Sequence, residues 1–201
     1  VRVRTEAKRE SILETAAEVF MEMGFERASM SEIAARMGGS KATLYSYFPS
    51  KEELFFAVVH HKVGEEVEPA FQDLPSKADE EPRALLTRLG ERLLVAVTAP
   101  EAIAVRRMVI AVASKSSIGQ QFWQYGPQQL HDAMASYLER ATEAGRLNVR
   151  DPSAAAQHIL ALFSSEIDWR WIFGLQNTFT RAEIKQAVAR AVDVFLAAYG
   201  R

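Results

Sequence analysis

The side chains of this sequence that could carry out chemistry are few and poorly spaced for catalysis. His60 and His61 are adjacent, so on a helix they face different directions and cannot act as an i, i+4 metal pair. His158 and Glu166 are eight positions apart and could share a helix face, but no third ligand accompanies them. Asp168 and Arg170 read as an ordinary charge pattern. The chain has no cysteine, which removes thiolate zinc sites, cysteine nucleophiles and disulfides. G-x-S-x-G, a Walker-type loop and H-E-x-x-H are absent as well. The expectation is a non-enzyme with no metal and no cofactor.

A second pattern carries the chemistry of recognition. Residues 38–48 read GGSKATLYSYF. At about 100° per residue, Leu44 and Phe48 share one helix face, and the opposite face centres on Ala42 and Ser46, flanked by Thr43 and Tyr45. Lys41 stands in the first turn. Small and hydrogen-bonding side chains on such a face suit close approach to the base edges of a major groove. No carboxylate falls between Glu32 and Glu52, whereas Arg36, Lys41 and Lys51 do. Arg2, Arg4, Lys8 and Arg9 add positive charge near the amino terminus against Glu6. The formal net charge of −2 argues against sequence-blind nucleic-acid binding, so the basic surface is local. On the residues alone, the readings are a DNA-binding helix-turn-helix or a helical hairpin with a solvated outer face.

The elements that must hold this stretch are nearly all helical, since apolar residues recur at three and four and strand-type alternation is missing. Ile12, Ala16, Phe20 and Met23 form one stripe, with Leu13 and Ala17 beside it and Gly24 as the stop. Ser29 to Glu32 predicts a capping box opening a second helix whose Ile33, Ala34 and Met37 face inward, and Gly38 ends it. Ser40 suits the cap of the third helix, and Ser50 to Glu53 predicts a capping box for the fourth. Residues 74–82, LPSKADEEP, carry two prolines and mark a boundary. Beyond it the pattern predicts helices near 83–98, 100–115, 118–144 with an interruption at Gly126-Pro127, 152–174 and 181–199. Pro100, Pro152, Asp151 and a Thr180-to-Glu183 capping box mark their starts. With 48% apolar and 25% charged residues the composition is that of a soluble globular protein. No apolar run approaches a membrane span, and no signal peptide precedes the first amphipathic segment, so a cytoplasmic location is expected.

Residues 12–59 resemble the amino-terminal DNA-binding domain of TetR-family transcriptional regulators. The resemblance rests on G-F before a Ser/Thr cap, I-A in the second helix, S-K-x-T-L-Y-x-Y-F in the third and the following K-E-E-L. It implies an all-α protein with a three-helix helix-turn-helix domain at 1–50, a connecting helix at 51–73, and a larger effector-binding and dimerisation domain at 74–201. It further implies that Lys41, Ala42, Tyr45 and Ser46 lie nearest base edges, while Ser29, Ser40, Thr43, Tyr47 and Lys51 hold phosphates. The chain departs from the family at Gly39, where an apolar residue such as Val is usual, so the turn loses a packing anchor and gains backbone freedom.

From the run APEAIAVRRMVIAVASKSSIGQQFWQYGPQQL at Ala99 to about residue 174, the chain is similar to the AefR-like subgroup of TetR-type effector domains. The resemblance implies a homodimer that binds a double-stranded, palindromic operator, most often as a repressor released by a small effector. The alternative is a regulator or activator of the same shape controlled by a protein partner. Dimerisation is expected through the last two helices, with Ile159, Phe163, Val188, Val192 and Phe195 at the interface, although an intrachain core would give the same pattern. Met108, Phe122, Trp123, Tyr125, His131 and Met134 cluster around the interruption at Gly126-Pro127 and are the candidate lining of a hydrophobic effector pocket. No membrane partner is expected.

Overall fold

Apolar spacing and capping residues produce helices through the described residues 5–61, 71, 72, 74–114 and 117–201 of this computed structural model. In chain order they are α1 (Glu6–Arg27), α2 (Met30–Arg36), α3 (Lys41–Tyr47), α4 (Lys51–Val59), α5 (Pro82–Val97), α6 (Pro100–Ala113), α7 (Ile118–Tyr125), α8 (Pro127–Glu143), α9 (Pro152–Ser164), α10 (Asp168–Ile172) and α11 (Arg181–Tyr199). A short 3-10 turn, Leu74–Lys77, precedes α5. The fold is all-α, as the spacing requires.

The chain divides into two units, Val1–Gly64 with Ala104–Phe122, and Glu65–Ile103 with Trp123–Arg201. In the first, α1 begins at Thr5, whose hydroxyl accepts the Lys8 amide, and breaks at Gly24 before one last turn. Its expected stripe is inside: Ile12, Leu13, Ala16, Ala17 and Phe20 are buried with Ile33, Leu44, Leu54, Phe55 and Val58. Phe20, Phe25 and Phe55 pack edge-to-face and stacked, with centroids 5.1–6.0 Å apart. Val105, Val109, Val112 and Ile118 join the same cluster.

In the second unit α5, α8, α9 and α11 pack on one another. Gly90 is required there by contact: a Cβ on it would lie 2.5 Å from the buried Phe163 ring, so α5 meets α9 at the backbone. The antiparallel bridge Leu147–Gly200 and the Asn148 amide on the Tyr199 carbonyl (2.8 Å) fasten the end of α11.

Several expectations change on folding. The hydroxyls of Ser29 and Ser50 accept the amides of Glu32 and Glu53 without the reciprocal carboxylate bond, whereas the capping box expected at Thr180 and Glu183 forms in full. Glu32 turns to Arg36 (3.1 Å). The predicted helix 152–174 is two helices, because the Ser165 hydroxyl donates to the Leu162 carbonyl (2.8 Å) and the backbone turns at 165–167. The interruption expected at Gly126 is present. Ile159, Phe163, Val188, Val192 and Phe195 are each no more than 1% exposed within the single chain. They are intrachain core, so a partner chain would have to meet other faces of these helices. Residues 62–70 and 73 of the expected connection, Arg2 and Arg4, and Lys115 of the expected helix 100–115 lie outside the described residues. Among the described residues no helix is long and apolar enough to cross a membrane.

Candidate nucleic-acid interface

The turn between α2 and α3 is set by hydrogen bonds that glycine permits. Gly38 adopts φ 64°, its amide donates to the Ala35 carbonyl, and the Gly39 amide donates to Ala34, both at 3.1 Å. This is a Schellman closure, which turns the chain sharply out of α2. Gly39 does not have a positive φ. A Cβ on it would lie 2.6 Å from the terminal methyl of Met37, so that flexible side chain already occupies the space a larger residue would fill. The packing anchor expected to be lost at Gly39 is supplied by Met37, which sits against the first unit's core.

α3 is held from behind by Leu44 and Phe48, which are 0% and 5% exposed. The Ser40 hydroxyl caps it, accepting the Thr43 amide at 3.0 Å, and lies 2.9 Å from the Thr43 hydroxyl. Lys41, Ala42, Tyr45 and Ser46 are all exposed, with Tyr45 at 48%, so one short helix presents these four side chains on its outward face. The Ser46 hydroxyl donates to the Thr43 carbonyl (2.7 Å), which leaves its oxygen as an acceptor toward solvent.

The expected phosphate ligands divide into two groups. Ser29, Ser40 and Thr43 stand at the starts of α2 and α3, the first two exposed. Tyr47 is half-buried, and its hydroxyl accepts the Thr5 amide (3.2 Å), tying the start of α1 to α3. Lys51 is also half-buried. Its ammonium donates to the carbonyls of Phe25 (2.8 Å) and Ala28 (3.1 Å) and stands 4.2 Å from the centre of the Phe25 ring. It therefore clamps the turn between α1 and α2.

The local basic surface is narrower than the sequence window suggests. Arg36 pairs with Glu22 (2.6 Å) and Glu32 (3.1 Å), and these hydrogen bonds, Glu22 first, raise its pKa above the ordinary value. Glu22 is on α1, so no local spacing announced this neutralisation. With Arg36 and Lys51 engaged, Lys41 is the cation of the window that faces outward from α3.

Residues 84–201 match the model of the AefR-like transcriptional repressor C-terminal domain, and residues 12–58 match that of the bacterial regulatory proteins of the tetR family. The chain belongs to the TetR family of transcriptional regulators. Family membership makes it a DNA-binding regulator and not an enzyme. A crystal structure assigned to a TetR-family regulator from Mesorhizobium loti superposes with a TM-score of 0.84 at 27% identity, covering 100% of both chains. The flavonoid-responsive regulator FrrA is 30% identical over 98% of each chain, with a TM-score of 0.76. The transcriptional activator FasR of Mycolicibacterium smegmatis is 39% identical over 82 residues, 41% of this chain. The match spans 37% of FasR and 34% of the fatty acid metabolism regulator of Bacillus subtilis.

The candidate effector residues of this TetR-family regulator fall into both units. Met108 and Phe122 pack against the core of the first. In the second, Met134 is fully buried and Trp123 is half exposed. His131 lies with Nδ1 3.0 Å from the Asp132 carboxylate and Nε2 3.1 Å from the Ser153 carbonyl, joining α8 to the start of α9. Tyr125 closes α7. Glu22 and Thr5 were missed by sequence reasoning because each acts through a contact that helix periodicity does not encode.

Proposed function

We propose that this chain is a homodimeric repressor that reads a palindromic operator through α3 and is released from it by a small, mainly hydrophobic effector. One observation carries the reading: α3 turns Lys41, Ala42, Tyr45 and Ser46 outward while Leu44 and Phe48 fix it to the core. Base edges would meet those four side chains, and phosphates would meet Ser29, Ser40 and Thr43. Tyr47 and Lys51 would contribute chiefly by holding α1, α2 and α3 in register. In functional terms, residues 1–50 bind DNA, 51–73 connect, and 74–201 hold the effector and the partner chain, with cytoplasmic DNA as the target.

Two half-sites call for two copies related by a two-fold axis. Because the expected interface residues are intrachain core, the surface offered to a second copy is the apolar exterior of α10 and its C-terminal turn, where Trp169, Phe173 and Leu175 are 64%, 66% and 77% exposed. For the effector, similarity along the full chain to a regulator described as flavonoid-responsive supports a flat aromatic compound. The resemblance to FasR favours a second reading, activation rather than repression at the same operator.

The test is selection of duplexes from a random library by the purified protein, followed by footprinting and titration with flavanone. Enrichment of a palindrome that flanking-scrambled duplexes do not compete for is the expected result. Failure to enrich any sequence refutes operator reading, and enrichment without release by flavanone or related aromatics refutes effector release. Transcription from a promoter carrying the palindrome separates repression from activation.

A further inference from the structure

The Tyr137 side chain is fully buried in α8, yet its hydroxyl has no hydrogen-bond partner among the described residues. A phenylalanine would fill the same space without a desolvated hydroxyl, so the group is costly unless something else completes it. We propose that the Tyr137 hydroxyl is the polar anchor of the effector site, donating its proton to a carbonyl or ether oxygen of a neutral, mainly apolar ligand. This rests on the effector-released reading above and gives that effector a place and a chemical class.

The surroundings set the class. Tyr137 shares the buried face of α8 with Met134, Leu138 and Ala141, in a cluster with Phe71, Leu74, Leu85 and Leu86. That cluster is hydrocarbon apart from the phenol, the indole of Trp171 and the Met134 sulfur, so a ligand entering it must be largely apolar. α8 packs against the 3-10 turn Leu74–Lys77, which has Leu74 as its buried residue. Leu74 covers this side of the cluster, and Met134 has the unbranched chain that refills irregular space when a neighbour shifts.

Charge selects further. Burial first, and then the carboxylates of Glu81 and Glu80, push the Tyr137 hydroxyl far above its ordinary pKa, so it stays protonated and acts as a donor. Both carboxylates are already placed, Glu81 capping α5 and Glu80 on Arg88 (2.7 Å). An anionic ligand beside the phenol would have to bury its charge among apolar side chains, which is costly without a cation to pair with. A ketone or ether fits, and a fatty-acid carboxylate does not.

Flavanone and flavan differ by one ketone oxygen and make the test. Binding to the full-length protein is read by calorimetry for both compounds and for flavanone-6-carboxylate, with the wild type and Tyr137→Phe. The wild type should prefer flavanone to flavan by about tenfold or more, because a site built to bond an oxygen rejects the analogue lacking it. Tyr137→Phe should bind the two alike while melting at or above the wild-type temperature, and the carboxylate should bind the wild type at least about tenfold more weakly than flavanone does. Equal binding of flavanone and flavan by the wild type, a preference retained in Tyr137→Phe, or no binding of either overturns the proposal. So does a marked drop in melting temperature, which would show the hydroxyl already bonded to a buried water. If flavanone displaces operator equally from both proteins, effector release stands and the Tyr137 assignment falls. If the Tyr137-dependent preference is found without any displacement, the assignment stands and release falls.

Discussion

Replacing Lys51 with alanine removes an ammonium that donates to the backbone carbonyls of Phe25 and Ala28 at 2.8 and 3.1 Å, and more weakly to that of Glu26 at 3.5 Å, and stands 4.2 Å from the centre of the Phe25 ring. Hydrogen bonds from a charged donor contribute about 1.5–3 kcal/mol each, and a cation over an aromatic face about 0.5–1 kcal/mol. Lys51 is only half-buried, so water replaces part of this in the variant. The net loss should be about 2 kcal/mol, which for a chain of this length lowers the melting temperature by about 4–8 °C. The assay is thermal unfolding by circular dichroism, paired with operator titrations across a salt series. If the clamp is the role of Lys51, the unfolding temperature falls and the salt slope of DNA binding is kept. An unchanged melting temperature with a slope shallower by about one unit would refute this, since it would place the charge on a phosphate.

Tyr45→Ala should leave stability within about 0.5 kcal/mol but change preference among operator variants by about 1–3 kcal/mol at one position per half-site, as competition titrations would show. Leu44→Ala should instead destabilise by about 2–5 kcal/mol in urea unfolding and weaken every duplex alike. Gly90→Ala forces a methyl into the buried Phe163 ring and should cost about 1–3 kcal/mol by the same measurement. Trp169→Asp with Phe173→Asp changes exposed side chains, so sedimentation should show a dimer for the wild type and a folded monomer for the variant, and equal association of the two would refute this interface. Glu183 is held at a pKa of about 2, below its ordinary 4.5, by the Thr180 amide first and then by Gln176, the Thr180 hydroxyl and Arg170. Its stabilising contribution is complete above about pH 4.5 and is lost as pH falls toward 2. Glu183→Gln should flatten that part of the acid unfolding curve.

Much of the recognition unit was legible because its signals are local. The Leu44 and Phe48 spacing, the Ser40 cap and Gly38 act within one or two turns of helix, and such interactions survive in any tertiary context. The same holds for Thr180 and Glu183. The break after Ser164 was not legible, since serine hydroxyls within an apolar run can either point outward or bond the carbonyl behind them, and packing decides between the two.

The sequence by itself determined an all-α chain that resembles the TetR family, and a face of α3 centred on Ala42 and Ser46 opposite Leu44 and Phe48, for helical period and capping chemistry are properties of neighbouring residues. Only the tertiary structure decided what lies opposite each helix. It consumed Arg36 on Glu22, sent Lys51 to the carbonyls of Phe25 and Ala28, and buried Val188 and Phe195 inside one chain. It also left the Tyr137 hydroxyl without a partner. An apolar or charged face announces that it will be covered, but the covering group comes from residues far away in sequence, and no periodicity along the chain records which one arrives.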